Sequence, residues 1–451
     1  MSKSRLRLRR LGMSFNKVKL ADICTAITYG YTASAKSEPD NAKFLRITDI
    51  QGGVVDWDSV PYCEITPDHV AKYRLSHGDI VVARTGNSTG ENYLFESDEV
   101  AVYASYLIKY SVNKDIADPF FVWLQMRTPK WWSFINGAKG GSAQAGANAK
   151  VIGDFDVALP PLSIQKQIVS LVKPYYDKIA NNKAMNQTLE KLAQRIFKSW
   201  FIDFDPVKAN KEGLPFDGLS PEIQALFPSE FEDSELGMIP KGWSVDQINK
   251  LSQVAIGKTP PRKQSQWFED KSNENNTKWF SIKDMGSNGM YALNSSECLT
   301  NEAIDKFNVK VVPENTVILS FKLTLGRLSI TTEECATNEA IAHFKLDEKH
   351  NKLSSSFIYF YLKNFNFNLL GSTSSIATAI NSKMVKEIPV LYSDNAVMSQ
   401  FSKTLDPLMS RVKLNAIQND KLERIRDRLL PKLISGQISA GEVAQELPEA
   451  V

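Results

Sequence analysis

The side chains able to do chemistry in this 451-residue chain do not fall into catalytic spacings. Gly86-Asn-Ser-Thr-Gly90 resembles a phosphate loop but lacks the lysine, and no GxxxxGK[ST] or strand-linked GxGxxG occurs elsewhere. His69, His77, His343 and His350 have no metal-ligand spacing. Cys24, Cys63, Cys298 and Cys335 are scattered without a CxxC, so neither a zinc site nor a disulfide framework is supported. Leu159-Pro-Pro-Leu162 lacks the polar and aromatic residues of an amino-methyltransferase tetrad, and no carboxylate-plus-lysine nuclease cluster can be assembled.

What remains is binding chemistry. Gly/Ser-rich loops carry Arg84, Thr85 and Asn87, then Lys139, Ser142, Gln144, Asn148 and Lys150. The second half of the chain offers Lys258, Arg262 and Lys263; Lys322, Thr324 and Arg327; and Ser372, Thr373, Asn381 and Lys383. Arginine can read guanine through two hydrogen bonds, Asn and Gln can read adenine, and Ser, Thr and backbone amides position phosphates. The same loops read as solvated surface, because 54 Lys+Arg against 51 Asp+Glu give a net charge of only +3. Nucleic-acid binding is thus permitted but not demanded. A protein-binding assembly scaffold is the alternative.

These loops are positioned by a chain that says something twice. A shift of 233 residues aligns 172–201 with 405–434 without a gap, placing Pro174 on Pro407, Asn182 on Asn415, Asn186 on Asn419 and Arg195 on Arg428. A repeat at half length means two related units in tandem. Each half opens with an apolar-polar entry (from Val18 or Val245) and reaches a turn at Gly30 or Gly257. A strand-like run ending in an acid comes next, Phe44–Asp49 or Trp279–Asp284. Then come a β-rich run into a polar glycine loop, an aromatic helical segment, a Gly/Ser loop and a short exit strand. The fold class is α+β: two mixed α/β globules, each followed by a long helix.

The Pro160-Pro161 pair ends the first globule, and Ser163 is the expected N-cap of the long helix after it. Apolar steps of three and four run through Ile164, Ile168, Leu171, Val172, Tyr175, Ile179, Met185, Leu189, Leu192 and Ile196, and similarly from Val397 to Leu433. A helix of about 37 residues is roughly 55 Å long, more than one globule covers, so the two are expected to pack on each other antiparallel. Pro174 and Pro407 should kink or interrupt both at matching heights. The expected boundaries are a basic arm at 1–14, globules at 15–160 and 243–391, helices at 161–201 and 392–436, an irregular connector at 202–242 and a tail at 437–451. No stretch reaches the roughly 18 to 20 apolar residues of a membrane span, and the N-terminus lacks the core of a secretory signal, so a cytoplasmic protein without membrane contact is expected.

From about residue 15 onward the chain resembles the specificity (S) subunit of Type I restriction-modification systems. The resemblance rests on Leu159-Pro-Pro-Leu-Ser-Ile-Gln-Lys-Gln-Ile-Val169, on Leu189-Glu-Lys-Leu-Ala-Gln-Arg-Ile-Phe-Lys-Ser-Trp-Phe-Ile-Asp-Phe-Asp-Pro206 and on Leu422-Glu-Arg-Ile-Arg-Asp-Arg-Leu-Leu-Pro-Lys-Leu-Ile-Ser-Gly436. It is similar to the family's two conserved regions, with Gln165 or Gln167 as the glutamine after the proline pair. The second copy departs with Pro389-Val-Leu-Tyr392, which leaves the start of its helix open. The resemblance implies two target-recognition domains, each binding one half of a split, asymmetric site in double-stranded DNA. It also implies helices that form an antiparallel coiled coil, set the spacer and dock two modification subunits. Gln167, Lys191, Arg195, Phe197, Trp200, Phe201, Arg424 and Arg428 would be the docking residues. This chain would be non-catalytic and bind no cofactor or metal; S-adenosylmethionine, ATP and magnesium would sit on the modification and restriction subunits.

Overall fold

The computed structural model describes residues 15–138, 147–270, 273, 275–370 and 380–446. The chain divides into two compact units. One is built on residues up to 180 together with those from 421 onward, the other on 181–420.

In the first unit, one sheet runs in the order Cys24–Tyr29, Leu107–Val112, Asp79–Ala83, Asn92–Leu94, all antiparallel. The other runs Ala35–Lys36, Tyr62–Cys63, Lys43–Leu45, Ala101–Tyr103, and its last two strands are parallel. Asp79–Ala83 is buried along its whole length. Its alternation sends Ile80 and Val82 into one apolar cluster and Val81 and Ala83 into another, as a strand covered on both faces requires.

The second unit repeats this plan. Gln253–Ile256, Ile341–Lys345, Val317–Ser320 and Leu328–Thr331 take the same order, and Tyr291–Ala292 extends the edge. Its other sheet, Phe268–Glu269, Glu297–Thr300, Asn276–Phe280, Cys335–Thr337 and Val311–Val312, again contains a parallel pair, between Asn276–Phe280 and Cys335–Thr337. In each unit a short antiparallel pair ties the opening strand to the one before the long helix: Lys17–Lys19 with Asp156–Ala158, and Ser244–Gln247 with Pro389–Tyr392.

Gly30 and Gly257 mark the same corner in both copies. A Cβ on Gly30 would lie 2.2 Å from the Tyr103 carbonyl oxygen, and one on Gly257 would lie 2.3 Å from that of Asn338. Only a residue without a side chain lets the backbones approach so closely. The acids that end the strand-like runs turn the chain instead of extending the strand. Asp49 Oδ2 accepts from Arg46 N at 2.8 Å, and Asp284 Oδ2 accepts from Ser281 N at 2.8 Å. The strands therefore stop at Leu45 and Phe280, four residues short of the expected ends, because a carboxylate three residues on captures the backbone N–H.

The long helices run unbroken over Leu162–Phe201 and Asn395–Ile434. Pro174 and Pro407, expected to kink or interrupt them, sit inside continuous helix. Each is flanked by buried side chains, Val172 and Tyr175 in one copy, Leu405 and Met409 in the other, whose packing outweighs one missing hydrogen bond. Ser163 lies within the first turn and is not its cap; Pro161 supplies the carbonyl that accepts from Ile164 N and Gln165 N. The second helix starts after Asp394, whose carboxylate accepts from Ala396 N and Val397 N.

The buried stripe also differs from the expected one. It steps by four and three through buried Ile168, Val172, Tyr175, Ile179, Asn182, Ala193 and Trp200 and half-buried Asn186, Leu189 and Ile196, whereas Met185 is 40% and Leu192 45% exposed. Counting only large apolar residues skipped two asparagines and an alanine that keep the 3.5-residue period. Between the helices, 202–242 is more regular than expected. It holds helices Asp205–Glu212 and Pro221–Gln224 and the hairpin Phe231–Ser234/Gly237–Pro240, with buried Gln224 accepting from Phe216 N and donating to Asn210 Oδ1.

Candidate nucleic-acid interface

In the first unit, four of the predicted loop residues, Thr85, Asn87, Asn148 and Lys150, come together around Arg84, at the exit of Asp79–Ala83. Its Nε donates to Ser105 O at 3.1 Å, and its guanidinium lies 5.2 Å from the Tyr29 ring centre and 5.9 Å from that of Tyr106. Ala147 N donates to Arg84 O at 3.0 Å, and Ala149 N donates to Tyr29 Oη at 3.1 Å. These bonds bring the start of helix Ala149–Gly153, with Asn148 and exposed Lys150, against the Arg84–Gly90 turn. Tyr29 and Tyr106 are 45% and 56% exposed. A half-buried guanidinium within cation–π reach of two rings loses little further entropy on binding. Thr85 is half-buried and Asn87 exposed beside it. Asn148 has a structural duty too, because its Oδ1 accepts from Val151 N as the helix cap.

The second unit builds the same corner with other side chains. Gly257 N donates to Ile341 O and Phe321 N to Ala340 O, so Lys258 and the Lys322–Gly326 turn lie at one end of the domain. Lys322 and Thr324 are exposed there. Asn381, related to Asn148 by the 233-residue shift, is again a cap, accepting from Lys383 N at 2.9 Å and Met384 N at 3.1 Å. Exposed Lys383 lies 3.9 Å from Glu387.

Two arginines do not fit the expectation. Arg327 is half-buried against Gly286 and donates to Ile282 O at 2.6 Å, so it braces the helix Ile282–Ser287 instead of presenting its charge. Arg262 stacks 4.3 Å from the Phe268 ring and 4.5 Å from that of Trp279, and its Nη1 reaches both Glu297 oxygens at 2.7 and 2.8 Å, which neutralises it. Lys258 Nζ donates to Phe307 O at 2.5 Å, and Lys263 is exposed. Lys139, Ser142, Gln144, Ser372 and Thr373 lie outside the described residues.

The expected docking residues divide sharply. Lys191, Arg195, Arg424, Arg428 and Gln167 are exposed on the helices. Phe197, Trp200 and Phe201 are not available: they are 1%, 3% and 5% exposed and pack in the second unit's core on Phe357 and Phe401. Aromatic burial of this size is a core contribution, not a partner surface. Gln165, not Gln167, is the glutamine tied into the fold; it accepts from Asp118 N at 2.9 Å and donates to Pro160 O at 2.8 Å.

Sequence reading missed the tyrosines flanking Arg84, although Tyr29 stands beside the Gly30 corner. It also missed a cleft of about 630 Å³ in the first unit, lined by Arg127, Trp132, Tyr176, Arg426 and Asp427. Burial holds Arg127 below the usual arginine range, and Arg426 lies 5.0 Å from the Tyr176 ring. Among the described residues, no three His, Cys, Asp or Glu side chains stand together as a metal site, and no helix is long and apolar enough to cross a membrane. His343 is fully buried in the second unit with Nε2 2.5 Å from Thr337 Oγ1, and burial pushes its pKa down to about 4. The four cysteines are free thiols.

The family model for the Type I restriction modification DNA specificity domain matches twice, over residues 14–191 and 240–424. The Type I restriction enzyme HindI specificity subunit of Haemophilus influenzae is 25% identical over 416 residues, 82% of this chain and 88% of that one. The MjaIX specificity subunit of Methanocaldococcus jannaschii is 25% identical over 342 residues, covering 74% and 72%. The crystal structure of the Type I restriction-modification S subunit from M. genitalium shares the fold at a TM-score of 0.55 and 13% identity, over 95% of this chain and 98% of that one. Two matches placed on two copies of one sheet plan leave one conclusion: this chain belongs to the Type I restriction-modification specificity-subunit family.

Proposed function

We propose that the chain selects the DNA sequence on which partner subunits act, each recognition domain binding one half of a bipartite, asymmetric site. The observation that carries this is the shared corner: both domains bring the turn after the same central strand to the same glycine corner, yet fill it differently. Arg84, Tyr29 and Tyr106 occupy one; Lys322, Leu323 and Thr324 occupy the other. A common scaffold with unlike fingertips suits two half-sites of unlike sequence.

The helices set the spacer between half-sites and dock two modification subunits through exposed Lys191, Arg195, Arg424 and Arg428. Their support is length and continuity: each 40-residue helix begins in one compact unit and ends in the other. S-adenosylmethionine, ATP and magnesium belong to the modification and restriction subunits, and this chain supplies recognition without catalysis.

Mapping methylated adenines in cells carrying the modification subunits, with and without this chain, tests the reading. A two-part motif that disappears on deletion is the expected result. A motif that persists, or methylation by the purified chain alone, rules it out.

A further inference from the structure

Leu323 adopts φ 61° and its side chain is fully exposed. Both features are unfavourable. In the left-handed region the Cβ crowds the following carbonyl oxygen, and an isobutyl group in water gains nothing from burial. The turn around it is nevertheless firmly bonded. Ser320 Oγ donates to Thr324 O at 2.6 Å, Arg327 N donates to Ser320 Oγ at 3.0 Å, and Gly326 N donates to Ser320 O at 3.0 Å. Leu323 is therefore held in its strained position by its neighbours.

The first domain shows what the backbone alone would ask for. Three residues past the end of its central strand at Ala83 stands Gly86, with φ 69°; three residues past Ser320 stands Leu323. One copy meets the left-handed requirement with glycine, the residue that adopts it without strain. The other places there a large, fully exposed apolar side chain that no described residue covers. Strain retained without a folding benefit points to a binding role.

We infer that Leu323 is a base-reading residue whose side chain contacts the C5-methyl of a thymine in the half-site bound by the second domain. This rests on the DNA-recognition reading proposed above. Charge identifies the occupant: the turn 321–327 contains Lys322 and no acidic residue, and exposed Lys258 stands on the adjoining corner. Leu323 is the most exposed apolar side chain of the turn, against 40% for Leu325, and it stands beside Lys322. An apolar fingertip next to a cation suits a groove whose apolar feature is a single methyl group, and the major groove displays that group only at thymine.

The test uses the full chain in complex with its modification subunits. The motif is mapped for the wild type, for Arg84→Ala, which marks the first domain's half, and for Leu323→Gly. Binding is then measured on the mapped duplex and on duplexes with deoxyuridine replacing each thymine of the other half in turn. One replacement is expected to weaken wild-type binding about three- to tenfold. Leu323→Gly should lose a similar factor on the thymine duplex, lose nothing further on that deoxyuridine duplex, and relax one position of one half-site. Its melting temperature should be unchanged or raised, since glycine removes the strain. Wild-type affinity and motif in Leu323→Gly, a second half-site without thymine, or equal loss on all duplexes would overturn the inference. So would loss of co-purifying modification subunits, which would make Leu323 a protein contact. These outcomes leave the DNA reading standing; a wild type that yields no two-part motif sinks both.

Discussion

Asn182 Nδ2 donates to Asn419 Oδ1 at 2.8 Å, and the 233-residue shift maps this pair onto Asn415 and Asn186, which make the same bond at 2.9 Å. Donor maps to donor and acceptor to acceptor, so the two helix segments cross as an antiparallel pair about a local pseudo-twofold. Asn182 also donates to Gln418 Oε1 and Asn186 to Val412 O. Buried amides on the apolar period fix register, since any slip would leave them unpaired in a low-dielectric seam.

Asn182→Ala is therefore expected to lower stability by about 1–3 kcal/mol, because Asn419 and Gln418 lose a buried partner. Asn415→Ala should cost a similar amount. A double-mutant cycle on Asn182 and Asn419, read by urea unfolding of the second unit's tryptophan fluorescence, should give a coupling of about 1 kcal/mol. Additive losses would contradict the network.

Stability should fall as acid is added through a window set by His343. Its folded pKa is about 4 against an ordinary 6.5, so the unfolded chain binds one more proton between those values and stability rises with pH across them. The contribution is fully present above pH 6.5 and is lost towards pH 4, about 3 kcal/mol in all. His343→Leu should flatten this part of the stability profile against pH; an unchanged slope would point to other groups.

Arg84→Lys separates charge from shape at the first domain's corner. Lysine keeps a positive charge but cannot donate as a planar fork or stack between Tyr29 and Tyr106 in the same way. Binding to the mapped duplex should fall roughly tenfold, while binding to random duplex and its salt dependence stay near wild type. Equal losses on both duplexes would assign Arg84 to phosphate contact.

Phe197→Ala tests the reassignment of the aromatic helix end from docking to core. Removing a ring packed on Phe357, Phe360 and Phe401 should cost about 3–5 kcal/mol. The fraction that stays folded should still co-purify with modification subunits, whereas Arg195→Glu on the exposed face should reduce co-purification at unchanged melting temperature. The opposite pattern would restore Phe197 to the interface.

The 233-residue repeat, the glycine corners and the two long helices were legible in the chain because each leaves a local trace: a period, a residue without a side chain, a run of three- and four-residue steps. The asparagine pairs were visible as aligned positions, but their meaning was not, since a polar residue on an apolar stripe has no local explanation. Met185 and Leu192 looked like seam residues because hydrophobicity was weighed residue by residue, while the partner helix accepts whatever keeps the roughly 3.5-residue period.

The loop residues divide along the same line. Their composition named Arg84, Arg262 and Arg327 alike, for nothing local separates one loop arginine from another. Only the fold gave Arg262 the Glu297 carboxylate, gave Arg327 the Ile282 carbonyl and gave Arg84 two exposed rings. By itself the sequence determined that there are two copies, which residues keep their period and which family the conserved stretches resemble. Tertiary structure decided which charges reach the surface, which aromatic residues form core, and that Leu323 stands strained in the open. Those outcomes depend on partners far away in the chain, and burial and pairing exist only once the chain has brought them together.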